Sequence, residues 1–207
     1  MRTLHRADLL LTGPAAEPVR DGAVLIEGDR VVALGAYPDV AEVADGARER
    51  AWGGLLTPGL RNAHGHWLLE TAYHPDPREE LGDQPLPPGA AGVGEVDEVR
   101  RGHSARRGLQ RMLGYGTTAV AGPFAAAAVR TAVARSGLVA TGGDGLPGGL
   151  DPLDGAALGA VLAGALTVGG RADFAVFAAG SVAELERSGA GCCLATVLGG
   201  RLSYRRR

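Results

Sequence analysis

Residues 55–67 read LLTPGLRNAHGHW, and this stretch carries the strongest pattern in the chain. An apolar run ends at Pro58-Gly59, and His64 and His66 follow with Gly65 between them. Residues two apart in an extended strand point to the same side, so both imidazoles can reach one metal ion from the end of a strand. Gly65 would leave space behind them. The alternative interpretation is two polar loop histidines that follow a turn.

The composition excludes several classes of protein. The chain has 207 residues, of which 45% are hydrophobic and 21% charged, with a net charge of −2. That is enough for one domain with a buried core, and it gives no general attraction to nucleic acid or anionic lipid. All basic residues are arginines, because the sequence contains no lysine. Schiff-base lysines, phosphate-loop lysines and metal-bridging carbamylated lysines are therefore excluded.

Cysteine usage and hydropathy indicate the compartment. The two cysteines are adjacent, at Cys192 and Cys193, and sequence neighbours rarely form a relaxed disulfide. The apolar run near the first residue is too short for a signal peptide, and no stretch has the length of a membrane span. We expect a cytoplasmic protein with no membrane partner and with buried, unreactive cysteines.

Hydrophobic periodicity predicts an α/β chain in which strands open and close the sequence. Five prolines and no periodicity mark residues 74–94 as a long loop, and residues 36–50 are predicted to be irregular. The predicted strands cover residues 7–12, 23–27, 30–34, 115–121, 138–141, 172–177, 195–198 and 201–204, and the predicted helices cover 96–113, 124–135 and 156–166.

Several segments together resemble the amidohydrolase superfamily, in its cytosine, adenosine and guanine deaminase branch. LLTPGLRNAHGHW resembles the segment that ends the first barrel strand of that family. MLGYGTTAVA (112–121) is similar to the second strand, and LVATGGDG (138–145) is similar to the eighth strand, whose metal-site aspartate corresponds to Asp144. Residues 169–177 and 195–201 resemble strands of the β-sandwich that accompanies the barrel.

The length implies a shortened form of that fold. A complete eight-stranded barrel needs about 250 residues, whereas residues 57–166 are all that lie between the two sandwich parts. We therefore expect a small composite β-sandwich from residues 1–56 and 167–207, joined to a truncated (β/α) barrel remnant of about three parallel strands. The family order would place the first strand in the middle of the remnant. Right-handed crossovers would then put the helix 124–135 on the former barrel interior.

The resemblance implies a reduced metal site. His64, His66 and Asp144 are the implied ligands of a divalent metal, with Zn²⁺ favoured over Fe²⁺, and Asp144 also has an implied catalytic role. The two later histidines and the glutamate of the family have no counterpart in this chain. The alternative is that these three residues are inherited from the fold and bind no metal.

A hydrolytic reaction also needs a proton acceptor, and the sequence offers three candidates. His103 lies in the first half of the helix 96–113 and is the predicted catalytic residue, while Glu70 and His74 closely follow the histidine pair. For each of them an ordinary solvent-exposed position is the favoured interpretation, because surface histidines and glutamates are common. The arginines at 100, 101, 106 and 107 are predicted to form a solvated helix face, with an anionic substrate patch as the alternative.

Two functions follow from these observations. The first is a metal-dependent hydrolase of non-peptide C–N bonds in a small cyclic or nucleoside-like substrate, of the deaminase or cyclic-amidine type. The alternative is a catalytically inactive relative that binds a ligand or a partner through the exposed edge of the opened barrel. A homo-oligomer that pairs two such edges is compatible with both. No nucleic-acid partner is expected.

Overall fold

The computed structural model describes residues 2–207 as two β-sheets with five α-helices. Within that range, no helix has the length and apolarity needed to cross a membrane. The strands are β1 (Arg2–Leu10), β2 (Val19–Glu27), β3 (Arg30–Ala36), β4 (Arg48–Pro58), β5 (Leu60–Asn62), β6 (Thr117–Ala121), β7 (Val139–Thr141), β8 (Phe174–Phe177), β9 (Cys193–Leu198) and β10 (Arg201–Arg205). The helices are α1 (Tyr37–Glu42), α2 (Glu98–Leu113), α3 (Ala127–Ser136), α4 (Leu158–Val161) and α5 (Val182–Ser188).

Both ends of the chain build the large sheet, which has the order β10-β9-β8-β4-β1-β2-β3. The two ends join where β4 pairs antiparallel with β8. The sheet curls back on itself, because Val31 N donates to Gly170 O (3.0 Å) and Ala172 N donates to Asp29 O (2.8 Å). The hairpin of β2 and β3 therefore meets the segment before β8, and the predicted composite sandwich is confirmed.

Residues 36–50, predicted to be irregular, contain helix α1 and the first part of β4. Pro38 occupies the first turn of α1, where its missing N–H is tolerated. The first part of β4 is polar because β8 pairs only with residues 55–58, which leaves residues 48–54 at the edge of the sheet. An edge strand needs no apolar alternation, so periodicity could not reveal it.

The small sheet consists of three parallel strands in the order β5-β6-β7, and no closed barrel forms. The predicted order, with β5 in the middle, is wrong because β6 occupies that place. Helices α2 and α3 lie together on one face, where a Cβ on Gly102 would approach Ala128 Cβ to 3.1 Å. The prediction that the helix 124–135 fills the opposite face is therefore also wrong. When consecutive right-handed crossovers each add a strand beside the previous one, the connecting helices lie on the same face of the sheet.

The segment that precedes β8 lies along the outer edge of β5. Ala163 N donates to Gly59 O (2.8 Å), and Leu162 bridges to Leu60. Only α4 is helical in this segment, so the predicted helix 156–166 is wrong. Gly164 has a φ of +102°, which is incompatible with a helix.

The proline-rich segment 74–94 packs against α2 through an arginine network. Arg100 donates to Glu79 Oε1 (2.7 Å) and to the Tyr73 hydroxyl (3.1 Å), and Arg107 donates to the carbonyl of His74 (2.8 Å). Burial alone would raise the pKa of Glu79, but hydrogen bonds from Arg100 and Tyr73 lower that pKa to about 2. Most of the predicted solvated face of α2 is therefore a docking face for this loop, and among its four arginines only Arg106 is exposed.

Candidate functional site

The histidine pair lies just beyond the carboxyl end of β5, where Asn62 fixes the chain. The buried Asn62 accepts a hydrogen bond from His64 N (2.8 Å) at Oδ1. Its Nδ2 donates to the carbonyls of Gly149 and Leu150 (3.1 Å each). Asn62 thus ties the end of β5 to the segment that follows β7. The sequence motif includes this asparagine, but its positioning role is visible only in the structure.

Both imidazoles are held through the same ring nitrogen. His64 Nδ1 lies 3.1 Å from Leu146 O, and His66 Nδ1 contacts Pro123 O. A carbonyl oxygen can only accept, so Nδ1 carries the proton in both rings. In the neutral form, Nε2 of each ring then has a free lone pair. Histidines that bind metals are oriented in the same way, with the second ring nitrogen donating to a carbonyl or carboxylate.

Glycines make room for the two rings. A Cβ on Gly148 would lie almost equally close to Cγ, Cδ2 and Nε2 of His64, so this glycine packs against the face of the ring. The lone pair of Nε2 lies in the ring plane and is not blocked by this contact. Gly145, with a φ of +74°, would bring a Cβ within 3.3 Å of His66 Cδ2. Behind the pair, a Cβ on Gly65 would lie 2.7 Å from Ala121 O, so the glycine lets the turn pack on β6.

Asp144 lies beside the pair without joining it. The residue is exposed, and its Oδ1 accepts a hydrogen bond from Leu146 N (3.1 Å). The next residue, Gly145, contacts His66, so the loop is close to both rings. Among residues 2–207, however, no three His, Cys, Asp or Glu side chains are grouped closely enough to hold one metal ion. The structure therefore does not group the three implied ligands, and the Asp144 carboxylate stays on its own loop. The premise of an extended strand through the histidine pair is also wrong, because His64 lies in a turn and His66 has helical backbone angles (φ −56°, ψ −55°).

His74 is a structural residue and not an exposed one. The side chain is fully buried, Nε2 lies 2.8 Å from Leu68 O, and Nδ1 lies 3.3 Å from a guanidinium nitrogen of Arg111. Nε2 must donate to the carbonyl and Nδ1 must accept from Arg111, which defines a neutral ring. Burial lowers the pKa of His74 to about 4. The interpretation of an exposed His74 is wrong, and both of its ring nitrogens are occupied.

The other two candidate proton acceptors lie on different parts of the surface. His103 is exposed in a groove between α2 and α3, and neither His64 nor His66 lines this groove. Glu70 is half-buried and accepts a hydrogen bond from Ala126 N (2.8 Å) at Oε1. The His66 ring contacts the same connection through Pro123 O. Glu70 is therefore the candidate that shares a neighbouring segment with the histidine pair.

Sequence comparison gives a local match to known enzymes. Over 63 residues the chain is 41% identical to an imidazolonepropionase from Cupriavidus taiwanensis, a match that covers 30% of this chain and 15% of that enzyme. An imidazolonepropionase from Cupriavidus necator is 38% identical over 63 residues. Over these 63 residues the chain is similar to imidazolonepropionases. The chain's match covers only 15% of the length of these relatives, and no family model matches it.

Structure comparison gives partial matches to deaminases. A guanine deaminase from Bradyrhizobium japonicum is 18% identical with a TM-score of 0.48, covering 68% of this chain and 34% of the deaminase. An adenosine deaminase from Xanthomonas campestris, solved with bound zinc, is 22% identical with a TM-score of 0.48. That match covers 67% of this chain and 32% of the deaminase.

Proposed function

We propose that this chain is an amidohydrolase-like, metal-dependent hydrolase of non-peptide C–N bonds in a small molecule, of the deaminase or cyclic-amidine type. One observation carries the proposal. The backbone carbonyls of Leu146 and Pro123 hold both Nδ1–H groups and leave both Nε2 lone pairs free. In both rings Nδ1 donates to a backbone carbonyl, which is the arrangement of histidines that bind a metal ion through Nε2.

His64 and His66 fit as two ligands of such an ion, with Zn²⁺ preferred over Fe²⁺. We assign Asp144 as the third ligand, because a catalytic zinc ion commonly has three protein ligands and an open position. Its carboxylate is exposed and held by a single hydrogen bond to Leu146 N. Glycines on both sides permit the loop to adjust, and release of one such hydrogen bond costs about 1 kcal/mol.

The chemistry of the reduced site depends on a proton acceptor. A bound divalent ion would lower the pKa of a water molecule and polarise the carbon centre under attack. We propose Glu70 as the residue that holds the proton, in preference to His103. Its carboxylate already lies against the connection that His66 contacts, whereas His103 lies in the groove between the helices.

One observation favours a second function: among residues 2–207, no three His, Cys, Asp or Glu side chains are grouped closely enough to hold a metal ion. In this alternative the chain binds a ligand or a partner and catalyses nothing. The partner surface would be the outer edge of β7, where Val139 is 43% exposed and Ala140 is exposed. A second copy of the chain could pair along this edge, as exposed edge strands do.

Metal titration followed by an activity assay separates the two functions. The protein is stripped with a chelator and titrated with Zn²⁺ by calorimetry. Hydrolysis is then measured as ammonia release from amino-purines and amino-pyrimidines, and as ring opening of cyclic amidines, which expels no ammonia and is followed by ultraviolet absorbance. The hydrolase predicts one bound Zn²⁺ that is lost in His64→Ala and in His66→Ala. In Asp144→Ala the affinity should fall at least about tenfold, the smallest loss typical of disturbed metal sites. The exposed His103→Ala serves as the control and should bind normally.

Each outcome supports one function. Zinc binding together with substrate hydrolysis that requires Glu70 supports the hydrolase. Zinc binding without substrate hydrolysis supports the binding protein. No stoichiometric zinc binding contradicts the proposed metal-dependent function.

A further inference from the structure

A cavity of about 460 Å³ lies apart from the histidine pair. It is formed where the last turns of α2, strand β10 and the proline-rich segment meet. Its volume is in the range of small-molecule sites, and such sites combine apolar walls with a few placed polar groups. Neither His64 nor His66 lines this cavity, so its occupant would be distinct from the substrate of the proposed hydrolase.

Two guanidinium groups line the cavity without a carboxylate partner. Arg111 donates to the ring of His74 and to Pro75 O, and Arg206 donates to Gly191 O. These acceptors are all neutral, and the ion pairs found within residues 2–207 include neither arginine. Burial lowers the pKa of Arg111, the charge of Asp83 in the same lining opposes this shift, and the charge of Arg107 adds to it. Each guanidinium has five N–H donors, so both retain donors for an anion.

The remaining lining groups define the shape and charge of the occupant. The rings of Tyr115 and Tyr204 supply flat apolar surface, and Gln84 and Gln110 supply neutral polar groups. Asp83 adds one negative charge, so the charges of the lining sum to +1 with the two arginines. This favours a monoanion over a dianion, because a dianion would leave a net charge in the cavity.

We propose that this cavity binds a small aromatic monocarboxylate. The carboxylate accepts from Arg206 and Arg111, and the aromatic ring packs against the tyrosines. A planar guanidinium matches a carboxylate in a two-point contact, and aromatic rings attract each other beyond simple burial. This site is independent of the proposed hydrolase.

Adjacent arginines provide a matched pair of variants. Arg206 lines the cavity, whereas Arg205, its neighbour in sequence, places its guanidinium 5.8 Å from the ring centre of Trp52. Arg206→Met and Arg205→Met therefore make the same change in net charge at different places. Thermal unfolding of both variants checks that each remains folded.

The experiment titrates the full chain with benzoate and follows the amide resonances of Gly114 and Tyr204 by ¹H–¹⁵N NMR. Benzamide is the neutral analogue and inorganic phosphate the non-aromatic anion. We expect saturable benzoate binding, with benzamide and phosphate each weaker by about tenfold, the value of one charged hydrogen bond. Arg206→Met should weaken benzoate binding about tenfold, and Arg205→Met less than about twofold.

Four results would overturn the proposal. They are no saturable benzoate binding, equal affinity for benzamide, equal affinity for phosphate, and equal losses in the two arginine variants. If both variants unfold, Gln110→Leu in the native chain gives the same test, with a measurable loss of benzoate affinity supporting the site and unchanged affinity contradicting it.

Discussion

The two sheets of this molecule are stabilised differently, as β8 and β7 show. All four residues of β8 are buried between β4 and β9, in a sheet that the two chain ends complete. By contrast, β7 has three residues, two of them exposed, and one unpaired edge. The small sheet also has a buried core, because helices α2 and α3 pack against it and all five residues of β6 are buried. The candidate chemistry lies on the glycine-rich loops that follow its strands, so changes in a buried strand and changes in these loops should have different consequences.

The largest effect is expected from a truncation in the large sheet. Phe174 is fully buried and contacts the ring of His5 edge-on at 4.9 Å between centroids. Phe174→Ala should lower the free energy of unfolding by about 3–5 kcal/mol, because it removes a large buried side chain and leaves a cavity. Chemical denaturation measures this. A loss below about 1 kcal/mol would contradict the packing of Phe174 in the core of the large sheet.

The next effect is a loss of stability in acid. Burial and Arg50 lower the pKa of His5 to about 3, and burial lowers that of His74 to about 4. The unfolded chain takes up these protons below a pH of about 6.5 while the folded chain resists, so stability falls as the pH drops. His74 alone should account for about 3 kcal/mol between pH 6.5 and 4, and His5 should extend the loss towards pH 3.

Two variants test this assignment by denaturation at several pH values. His74→Asn should flatten the dependence between pH 6.5 and 4, whereas the exposed His103→Asn should leave it unchanged. An identical slope in His74→Asn and the parent would contradict the buried neutral histidine.

A smaller effect is expected where the loop after β7 meets the histidine pair. In Gly148→Ala the new Cβ would collide with the ring of His64, whereas in Gly149→Ala it would meet only Asp151 N at 3.9 Å. We expect Gly148→Ala to cost about 1–3 kcal/mol, as overpacking does, and to weaken Zn²⁺ binding. Gly149→Ala should change neither quantity. Equal effects of both substitutions, measured by denaturation and zinc titration, would argue against the packing of His64 on Gly148.

The smallest effect is expected at the open edge. Val139→Ala, on exposed β7, should change the free energy of unfolding by no more than about 0.5 kcal/mol, because exposed positions contribute little. A large loss that depends on protein concentration would show that a partner covers this edge. Sedimentation of the parent and the variant provides the measurement.

Local patterns made much of the fold predictable. The hairpin of β2 and β3 follows from a glycine turn between apolar runs, and the helix α2 follows from its periodicity. The order of the small sheet did not follow, because strand motifs fix which segments are strands and not which segments pair. The arginines of α2 look solvated in sequence, because no local pattern shows that the irregular segment just before the helix folds back over them.

The sequence identified residues of the candidate site but not their geometry. The HGH motif predicted two histidines on one side of an extended strand, but β5 ends at Asn62 and His66 has a helical backbone, so that geometry was wrong. The structure adds the carbonyl partners of both rings and the role of Asn62. The position of the Asp144 carboxylate depends on a local hydrogen bond to Leu146 N, which no sequence pattern specifies.

The central claim is that His64 and His66 bind a metal ion through Nε2. Long-range ¹H–¹⁵N spectra of the histidine rings test it directly, without an activity assay. The account predicts that both rings carry the proton on Nδ1, and that stoichiometric Zn²⁺ shifts the Nε2 resonances of both while His103 is unchanged. Protonated Nε2 atoms in the neutral rings, or Nε2 resonances that Zn²⁺ leaves unmoved, would contradict it.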